Sequence, residues 1–186
     1  MIIARIYYPV TVLGYGKRIG IWVSGCDKRC KNCISPEFQK ESAGRYLSVD
    51  EIVDIIKSRE DMIDGVTISG GEPLKQAEEL KRLIEKLLLL GIEDILIYSG
   101  YTREQIELMN NSNMDYILSN SACVILGEYV EKQNDGLGIR GSRNQEIIVN
   151  KFKERYWNAA NCIRKQQIIL SENGAMVIGI PTKENE

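Results

Sequence analysis

Hydrophobic residues occur along the chain in short β-prone runs that alternate with longer segments of mixed charge and leucine. Three of these runs, at residues 19–24, 65–69 and 94–100, directly precede or end in glycine, which is typical of a strand that leads into a turn. Two shorter apolar runs, at residues 116–118 and 123–126, add one or two further units. The pattern therefore predicts several short strands along the middle of the chain.

The segments between these runs predict helices. Ser48 and Glu51 have the spacing of a capping box, in which each side chain bonds the backbone of the other residue. The charges and leucines of residues 75–90 predict an amphipathic helix that Gly91 ends, and Thr102 caps a further helix.

Strands that alternate with helices indicate an α/β fold with a mostly parallel sheet. An eight-fold barrel typically needs about 250 residues, and this chain has 186. We therefore expect a partial (β/α) barrel. In such sheets, binding sites form at the carboxyl ends of the parallel strands.

The end of the chain has a different character from the rest. We expect one domain over residues 1–186, with a core of about residues 5–150 and a C-terminal extension over residues 151–186. The extension contains a predicted β-hairpin. Its parts are a strand at 166–170, a turn at 171–174 and a strand at 175–179.

Composition excludes several classes of function. The 24 Lys and Arg residues against 26 Asp and Glu residues give a net charge of -2, so we expect neither a nucleic-acid nor a membrane partner. The absence of histidine excludes a histidine general base and a histidine-ligated zinc. The longest aliphatic run, at residues 87–90, is too short to span a bilayer, and the first residues do not form a signal peptide. We therefore expect a cytoplasmic protein.

The five cysteines divide into a cluster and two isolated residues. Cys26, Cys30 and Cys33 form a C-x3-C-x2-C pattern on the loop that leaves the first predicted strand. Because cytosolic thiols stay reduced, such spacing points to a metal centre rather than to disulfides. Cys123 and Cys162 are interpreted as small core or half-buried residues.

Three thiolates on one short loop suit a soft metal centre. A [4Fe–4S] cluster needs a ligand at each iron, so three cysteines would leave one iron open to another ligand. The alternatives are a zinc site completed by Cys123 or Cys162, and three unrelated thiols.

The cysteine pattern is followed, after the next predicted strand, by the sequence Gly70-Gly71-Glu72-Pro73. Together these motifs resemble the radical S-adenosylmethionine (SAM) superfamily. The resemblance implies that the three cysteines hold a [4Fe–4S] cluster whose open iron is chelated by SAM. It also implies that the Gly-Gly-Glu-Pro segment meets the SAM amino group.

Further segments resemble one group in that superfamily, the glycyl-radical-enzyme activases that act on anaerobic ribonucleoside-triphosphate reductase. These segments are Tyr7-Tyr8-Pro9-Val10, Gly14-Tyr15-Gly16-Lys17-Arg18, Trp22-Val23-Ser24-Gly25-Cys26, Tyr98-Ser99-Gly100-Tyr101 and Arg140-Gly141-Ser142-Arg143-Asn144-Gln145. They are collinear with that group over about residues 5–150. Tyr15 stands where the group has proline, and residues 151–186 extend beyond its pattern.

The resemblance assigns the site residue by residue. The implied metal ligands are Cys26, Cys30 and Cys33. The implied cofactor-binding residues are Asn32, Cys33, Ile34, Ser69, Gly70, Gly71, Glu72, Ser99 and Gly100. No catalytic residue is needed beyond the cluster. Two roles remain possible for Arg18, a solvated surface charge or a clamp for a carboxylate. Two roles likewise remain possible for Asn144 and Gln145, which could cap a strand or contact a ligand.

The implied reaction is reductive cleavage of SAM at the cluster to methionine and a 5′-deoxyadenosyl radical, which abstracts a hydrogen atom. In the activase interpretation that atom comes from a glycine of an anaerobic ribonucleotide reductase, and flavodoxin or ferredoxin is the electron donor. One alternative is a small radical SAM enzyme for a small molecule or peptide, similar to 7-carboxy-7-deazaguanine synthase. Another is a metal-binding or electron-transfer module.

Overall fold

The computed structural model describes residues 1–171 and 174–182. Its strands are β1 (Ile2–Val10), β2 (Arg18–Val23), β3 (Arg45–Tyr46), β4 (Gly65–Gly70), β5 (Ile95–Ser99), β6 (Cys123–Leu126), β7 (Glu146–Val149), β8 (Gln167–Ser171) and β9 (Gly174–Ile178). Its helices are α1 (Val49–Lys57), α2 (Ala77–Leu89), α3 (Arg103–Met109), α4 (Ser112–Asn120) and α5 (Lys153–Asn161). Strands and helices alternate through the middle of the chain, which confirms the α/β class.

Within the described residues, seven strands form one open sheet in the order β3-β1-β2-β4-β5-β6-β7. The four central strands, β2, β4, β5 and β6, are parallel. The flanking strands β1, β3 and β7 pair antiparallel with their neighbours. The predicted parallel core is present, but the sheet does not close, so the partial barrel is not confirmed.

Four of the predicted strands agree with the observed strands to within about one residue. The runs at 19–24, 65–69, 94–100 and 123–126 form β2, β4, β5 and β6. The run at 116–118 instead lies in α4, where buried residues recur three positions apart, at Met114 and Ile117. That spacing is typical of one helix face. The prediction was wrong because the three successive apolar residues 116–118 have the pattern of a short buried strand.

Both predicted helix caps are present. The Ser48 side chain accepts a hydrogen bond from the Glu51 backbone, and the Glu51 side chain accepts one from the Ser48 backbone. Thr102 forms the same reciprocal arrangement with Gln105 at the start of α3. These caps satisfy backbone N–H groups that the first turn of a helix leaves free.

Helix α2 begins two residues later than predicted, because residues 73–76 form a separate 3-10 turn. It ends at Leu89, and Gly91 adopts a φ of 77°, a left-handed conformation that favours glycine. With 13 residues, α2 is far shorter than the span of a bilayer, and no helix in the described residues could cross a membrane.

Alternate residues of the sheet face two different cores. Ile21 and Ile97 point toward helices α1 to α4, where they join the largest hydrophobic cluster. Trp22 points to the opposite face, which packs against residues near the C-terminus, including Ile178. Both sheet faces are therefore covered, one by helices and the other in part by the end of the chain.

Strands β8 and β9 form the predicted C-terminal hairpin. Two residues of the predicted turn, Glu172 and Asn173, lie outside the described residues. Of the isolated cysteines, Cys123 is buried in β6, as expected. The expectation that Cys162 is half-buried is wrong, because Cys162 follows the last turn of α5 and is exposed.

Candidate cofactor site

The residues predicted to bind the cofactors leave three neighbouring parallel strands at the same edge of the sheet. The cysteine loop (residues 26–33) follows β2, the Gly-Gly-Glu-Pro turn (residues 70–73) follows β4, and residues 99–100 end β5. Carboxyl ends of parallel strands commonly form ligand sites. The expected convergence of these three segments is therefore present in the fold.

Backbone hydrogen bonds join the Gly-Gly-Glu-Pro turn to the residues that lead from β2 into the cysteine loop. The Glu72 N–H donates to the Gly25 carbonyl at 2.9 Å, and the Gly71 N–H donates to the Val23 carbonyl at 2.8 Å. The Gly25 N–H in turn donates to the Phe38 carbonyl at 2.9 Å. The base of the cysteine loop is therefore held in place by the turn.

The two glycines of the turn are required by this close approach. Gly70 has a φ of 106°, and a Cβ there would lie 2.6 Å from the Val23 backbone nitrogen. A Cβ on Gly71 would lie 2.8 Å from the Gly25 carbonyl carbon. A side chain at either position would push away the end of β2 and Gly25, from which the cysteine loop leaves.

Glu72 is buried behind the two turns rather than exposed on the cavity wall. Its side chain is 1% exposed and accepts hydrogen bonds from the Leu74 N–H (2.9 Å), the Ser99 hydroxyl (2.9 Å) and the Gly100 N–H (2.7 Å). Burial raises the pKa of Glu72 to about 7, although these hydrogen bonds oppose the shift. The carboxylate thus ties the turn after β4 to the turn after β5.

A cavity of about 190 Å³ lies beside these turns. That is more than ten times the roughly 10–15 Å³ that one water needs, so the cavity is a binding space rather than a packing defect. The predicted residues that line it are Cys33, Ile34, Ser69, Gly70, Gly71, Ser99 and Gly100. The predicted residues outside its lining are Cys26, Cys30, Asn32 and Glu72.

The three clustered cysteines are free and partly exposed. Burial is the main cause that raises the pKa of Cys26 to about 11, and it also raises the pKa of Cys30. Because metal ligands are thiolates, metal binding at this loop must release protons. The Cys30 sulfur also lies 3.9 Å from Glu128 Oε2.

Within the described residues, no three Cys, Asp or Glu side chains are placed to hold a single metal ion. A [4Fe–4S] cluster does not require that arrangement, because each cysteine binds a different iron. Three accessible thiols on one loop therefore fit such a cluster better than they fit a single zinc ion. Neither isolated cysteine completes a zinc site in this arrangement.

Asn32, an expected cofactor-binding residue, lies outside the lining of the cavity. It adopts a left-handed φ of 59°, and its side-chain amide donates a hydrogen bond to Glu131 Oε2 at 2.6 Å. This contact connects the cysteine loop to the segment after β6. Asn tolerates the left-handed conformation better than most residues do.

Lys28 is a site-flanking residue that the sequence reasoning missed. Its ammonium lies 4.4 Å from the centre of the Tyr101 ring and 3.4 Å from Glu128 Oε1, and it donates to Gln105 Oε1 at 2.8 Å. The Tyr101 hydroxyl donates to Asp27. These contacts hold the outer side of the cysteine loop against α3. The role of Lys28 could not be predicted, because no sequence pattern distinguishes it from the other lysines.

Arg18 is a carboxylate clamp inside the protein. It is fully buried, with Nη1 3.0 Å from Asp94 Oδ1, and it donates to the Thr67 hydroxyl at 2.7 Å and to the Val66 carbonyl at 2.8 Å. Arg18 begins β2, so this cluster lies at the opposite end of the strands from the cysteine loop.

Gln145 and Asn144 brace the loops after β6. The Gln145 side chain donates to the Gly127 carbonyl at 2.6 Å and accepts from the Gly141 N–H at 2.6 Å, and it also lines the cavity. The Asn144 amide donates to the Glu128 carbonyl at 2.9 Å. Both side chains therefore make structural contacts, and Gln145 in addition faces the candidate site.

Known proteins resemble this chain over most of its length. Residues 12–148 match the family described as 4Fe-4S single cluster domain. The anaerobic ribonucleoside-triphosphate reductase-activating protein of Haemophilus influenzae is 30% identical over 155 residues, which cover 79% of this chain and 96% of the relative. That of Vibrio cholerae is 31% identical, covering 78% and 96%. The pyruvate formate-lyase-activating enzyme of Staphylococcus aureus is 38% identical over 91 residues, covering 46% and 36%.

The matched family region contains the cysteine loop, the Gly-Gly-Glu-Pro turn and the turn after β5. These three segments are therefore shared with a family defined by one iron–sulfur cluster. The chain belongs to the 4Fe-4S single cluster domain family, and within it to the radical SAM activating enzymes of glycyl-radical enzymes, whose cofactors are a [4Fe–4S] cluster and SAM.

Proposed function

We propose that this protein cleaves SAM reductively and thereby generates a glycyl radical on an anaerobic ribonucleoside-triphosphate reductase. The observation that carries the proposal is that the start of the cysteine loop, at Val23 and Gly25, is hydrogen-bonded to the Gly-Gly-Glu-Pro turn beside one cavity. The relatives from Haemophilus influenzae and Vibrio cholerae support the choice of partner, since both are named for activating that reductase.

In this proposal Cys26, Cys30 and Cys33 hold the cluster. When bound, the cluster and SAM supply one-electron chemistry whose products are methionine and a 5′-deoxyadenosine that carries the substrate's hydrogen atom. The chain itself supplies position and a lined cavity, and no side chain has to transfer a proton. A protein without histidine is suited to such a reaction.

The residues that build the SAM site in this proposal, by direct contact or by positioning, are those of the three converging segments. They are Asn32, Cys33, Ile34, Ser69, Gly70, Gly71, Glu72, Ser99 and Gly100. Most of them line the cavity, which supports a direct contact. Glu72 acts through its neighbours, because its oxygens already accept hydrogen bonds from Leu74, Ser99 and Gly100. It is therefore a positioning residue for the turns rather than a direct partner of the ammonium group.

We further propose that a small redox protein such as flavodoxin or ferredoxin supplies the electron. The partial exposure of the three cysteines supports this, because an electron carrier must approach the cluster closely. The net charge of -2 supports partners other than nucleic acid or an anionic membrane. A cytoplasmic location fits accessible thiols that have to stay reduced.

The test is anaerobic reconstitution of the protein with iron, sulfide, dithionite and SAM, followed by addition of the candidate reductase. We expect 5′-deoxyadenosine by chromatography and a glycyl doublet on the reductase by electron paramagnetic resonance. Cys30→Ala is the matched control, and it should form neither product.

The other possible results distinguish the remaining functions. Formation of 5′-deoxyadenosine without a glycyl doublet on any glycyl-radical enzyme would overturn the activase assignment and favour a small-molecule or peptide substrate. Absence of 5′-deoxyadenosine, with Cys30→Ala indistinguishable from the wild type, would leave a metal-binding or electron-transfer module.

A further inference from the structure

The cavity has a wall that comes from outside the matched family region. The family match ends at residue 148, yet Val177, Ile178, Gly179 and Ile180 all line the cavity. These residues belong to the C-terminal segment (residues 164–181), which contains β8 and β9. Part of the candidate site is therefore built by the extension rather than by the shared domain.

The wall is packed into the protein. Ile178 is 3% exposed and Ile180 is 7% exposed, and both join a hydrophobic cluster with Leu13, Trp22 and Phe38. Those three partners also line the cavity. The apolar side of the cavity is thus one continuous patch made by Trp22 of β2, the loop residue Leu13, Phe38 after the cysteine loop, and the end of the chain.

Buried polar contacts hold the C-terminal segment in this place. The Arg164 guanidinium, which is 5% exposed, donates to Asn134 Oδ1 at 2.7 Å and to the Pro181 carbonyl at 2.6 Å. The Gln167 amide donates to the Pro9 carbonyl at 2.9 Å. Contacts at both ends of the segment therefore fix the wall before and after Ile178.

The two sides of the cavity differ in chemistry. Ser69, Gly71 and Gly100 offer hydroxyl and backbone groups on one side, whereas Ile178 and Ile180 offer saturated carbon on the other. A reaction that removes a hydrogen atom must be kept from small competing donors, and thiols are such donors because their S–H bond is weak. An aliphatic wall hinders the approach of small thiols and water from its side of the cavity.

We propose that Ile178 and Ile180 are specificity-determining residues, whose side chains shield one side of the cavity from small thiols and so favour hydrogen-atom donation by a substrate carbon that the partner protein presents. This inference rests on the proposed function. In the productive reaction the Cα–H bond of a partner glycine breaks and a C–H bond forms in 5′-deoxyadenosine, so one glycyl radical appears per nucleoside. In the competing reaction the S–H bond of a thiol breaks instead, and the nucleoside forms together with a thiyl radical.

The test measures how often the competing reaction occurs. Reconstituted wild type, Ile178→Ala, Ile180→Ala and the milder Ile178→Val are incubated in D2O with dithiothreitol, dithionite, SAM and the reductase. Mass spectrometry measures deuterium in 5′-deoxyadenosine, and electron paramagnetic resonance counts glycyl radicals. The matched control is Ile168→Ala, which removes the same atoms from the 67% exposed face of the same hairpin.

We expect the ratio of 5′-deoxyadenosine to glycyl radical to rise roughly fivefold in the alanine variants, with a smaller rise in Ile178→Val. The excess nucleoside should carry deuterium from the exchanged thiol, and Ile168→Ala should match the wild type. An unchanged ratio in Ile178→Ala and Ile178→Val, with wild-type radical yield, would overturn the inference and leave the proposed function intact. No radical with the wild type would instead refute the proposed function.

A second readout does not depend on turnover. The sequence has two tryptophans, Trp22 and Trp157, and the latter is 70% exposed. In a Trp157→Phe background, acrylamide quenching reports on Trp22 alone, which is 8% exposed beside Ile178. Quenching should increase roughly threefold in Ile178→Ala, which corresponds to a barrier lower by about 0.6 kcal/mol, and stay unchanged in Ile168→Ala. Equal quenching in all variants would show that these residues do not shield this side of the cavity.

Discussion

The central strands bury charged side chains at both of their ends, and the two ends use them differently. At the amino ends, Arg18 forms a buried ion pair with Asp94, and Tyr156 donates a hydrogen bond to the same carboxylate. At the carboxyl ends, Glu72 is as deeply buried, but its hydrogen-bond donors are uncharged groups such as the Ser99 hydroxyl.

The difference is one of access. The amino-end cluster is enclosed by strands and by α5, so its charges can stabilise only the fold. The carboxyl-end cluster lies behind turns that line a cavity, and the half-exposed cysteine loop adjoins those turns. A buried charge therefore does not by itself mark a functional site in this protein. The functional site is marked by a buried carboxylate, Glu72, that supports the turns, together with reactive cysteine thiols that remain accessible.

The largest expected effect concerns the cysteine loop. Cys30→Ala should abolish the visible absorption of the reconstituted cluster and lower 5′-deoxyadenosine formation by at least roughly 100-fold, since even changes around metal ligands cost about that much. Iron content and chromatography measure the two effects. Cys162→Ser, which changes an exposed thiol, should retain both. Loss of the cluster in Cys162→Ser would show that the ligand set extends beyond the loop.

The next effect concerns the amino ends of the strands. Arg18→Met removes the nearer of the two guanidinium partners of the buried Asp94 and leaves only Arg155, 3.6 Å away, so the free energy of unfolding in urea should fall by about 3 kcal/mol. The control Arg82→Met removes an ion pair with Glu78 in which both side chains are more than half exposed, and it should change stability by at most about 1 kcal/mol. Reduced SAM cleavage per folded molecule in Arg18→Met would contradict the assignment of a purely structural role to the amino ends of the strands.

The smallest effect is a pH dependence that belongs to Glu72. Because burial raises the pKa of Glu72 from 4.5 to about 7, the native state binds more protons than the unfolded state between these pH values. Stability should therefore fall as the pH rises through that window, by up to about 3 kcal/mol from this group. Urea unfolding against pH should show this slope in the wild type and lose it in Glu72→Gln.

Glu51 provides the opposite sign for comparison. Hydrogen bonds from Ser48 lower the pKa of Glu51, so its contribution to stability is present at neutral pH and lost on acidification. The difference in free energy of unfolding between the wild type and Glu51→Gln should rise with pH. The corresponding difference for Glu72→Gln should fall with pH. Parallel slopes for the two variants would contradict the assigned burial of Glu72.

Local patterns allowed much of the fold to be predicted. The capping boxes at Ser48 and Thr102 are set by residues three apart, so they follow from sequence spacing alone. The same holds for the glycine that ends α2 and for the strands that lead into the site. Helix α5 could not be predicted, because only Tyr156 of its nine residues is buried and its apolar face is correspondingly weak.

Long-range contacts limited the prediction of the site. Glu72 meets Ser99 across 27 residues, and through that contact a residue expected at the SAM site also supports two turns. Arg18 could be a solvated charge or a clamp until Asp94, 76 residues away, was found beside it. In both cases the side chain's role depends on partners that sequence distance does not reveal.

The sequence by itself determined the chemistry: three thiols at ligand spacing, a glycine-rich turn after the next strand, and a chain without histidine. Only the tertiary structure decided which residues enclose the cavity, including Ile178 and Ile180 from beyond the family region. The physical reason is that ligand spacing and turn conformation are local properties of the chain. Enclosure instead requires segments more than 150 residues apart to pack together, as Gln167 does with Pro9.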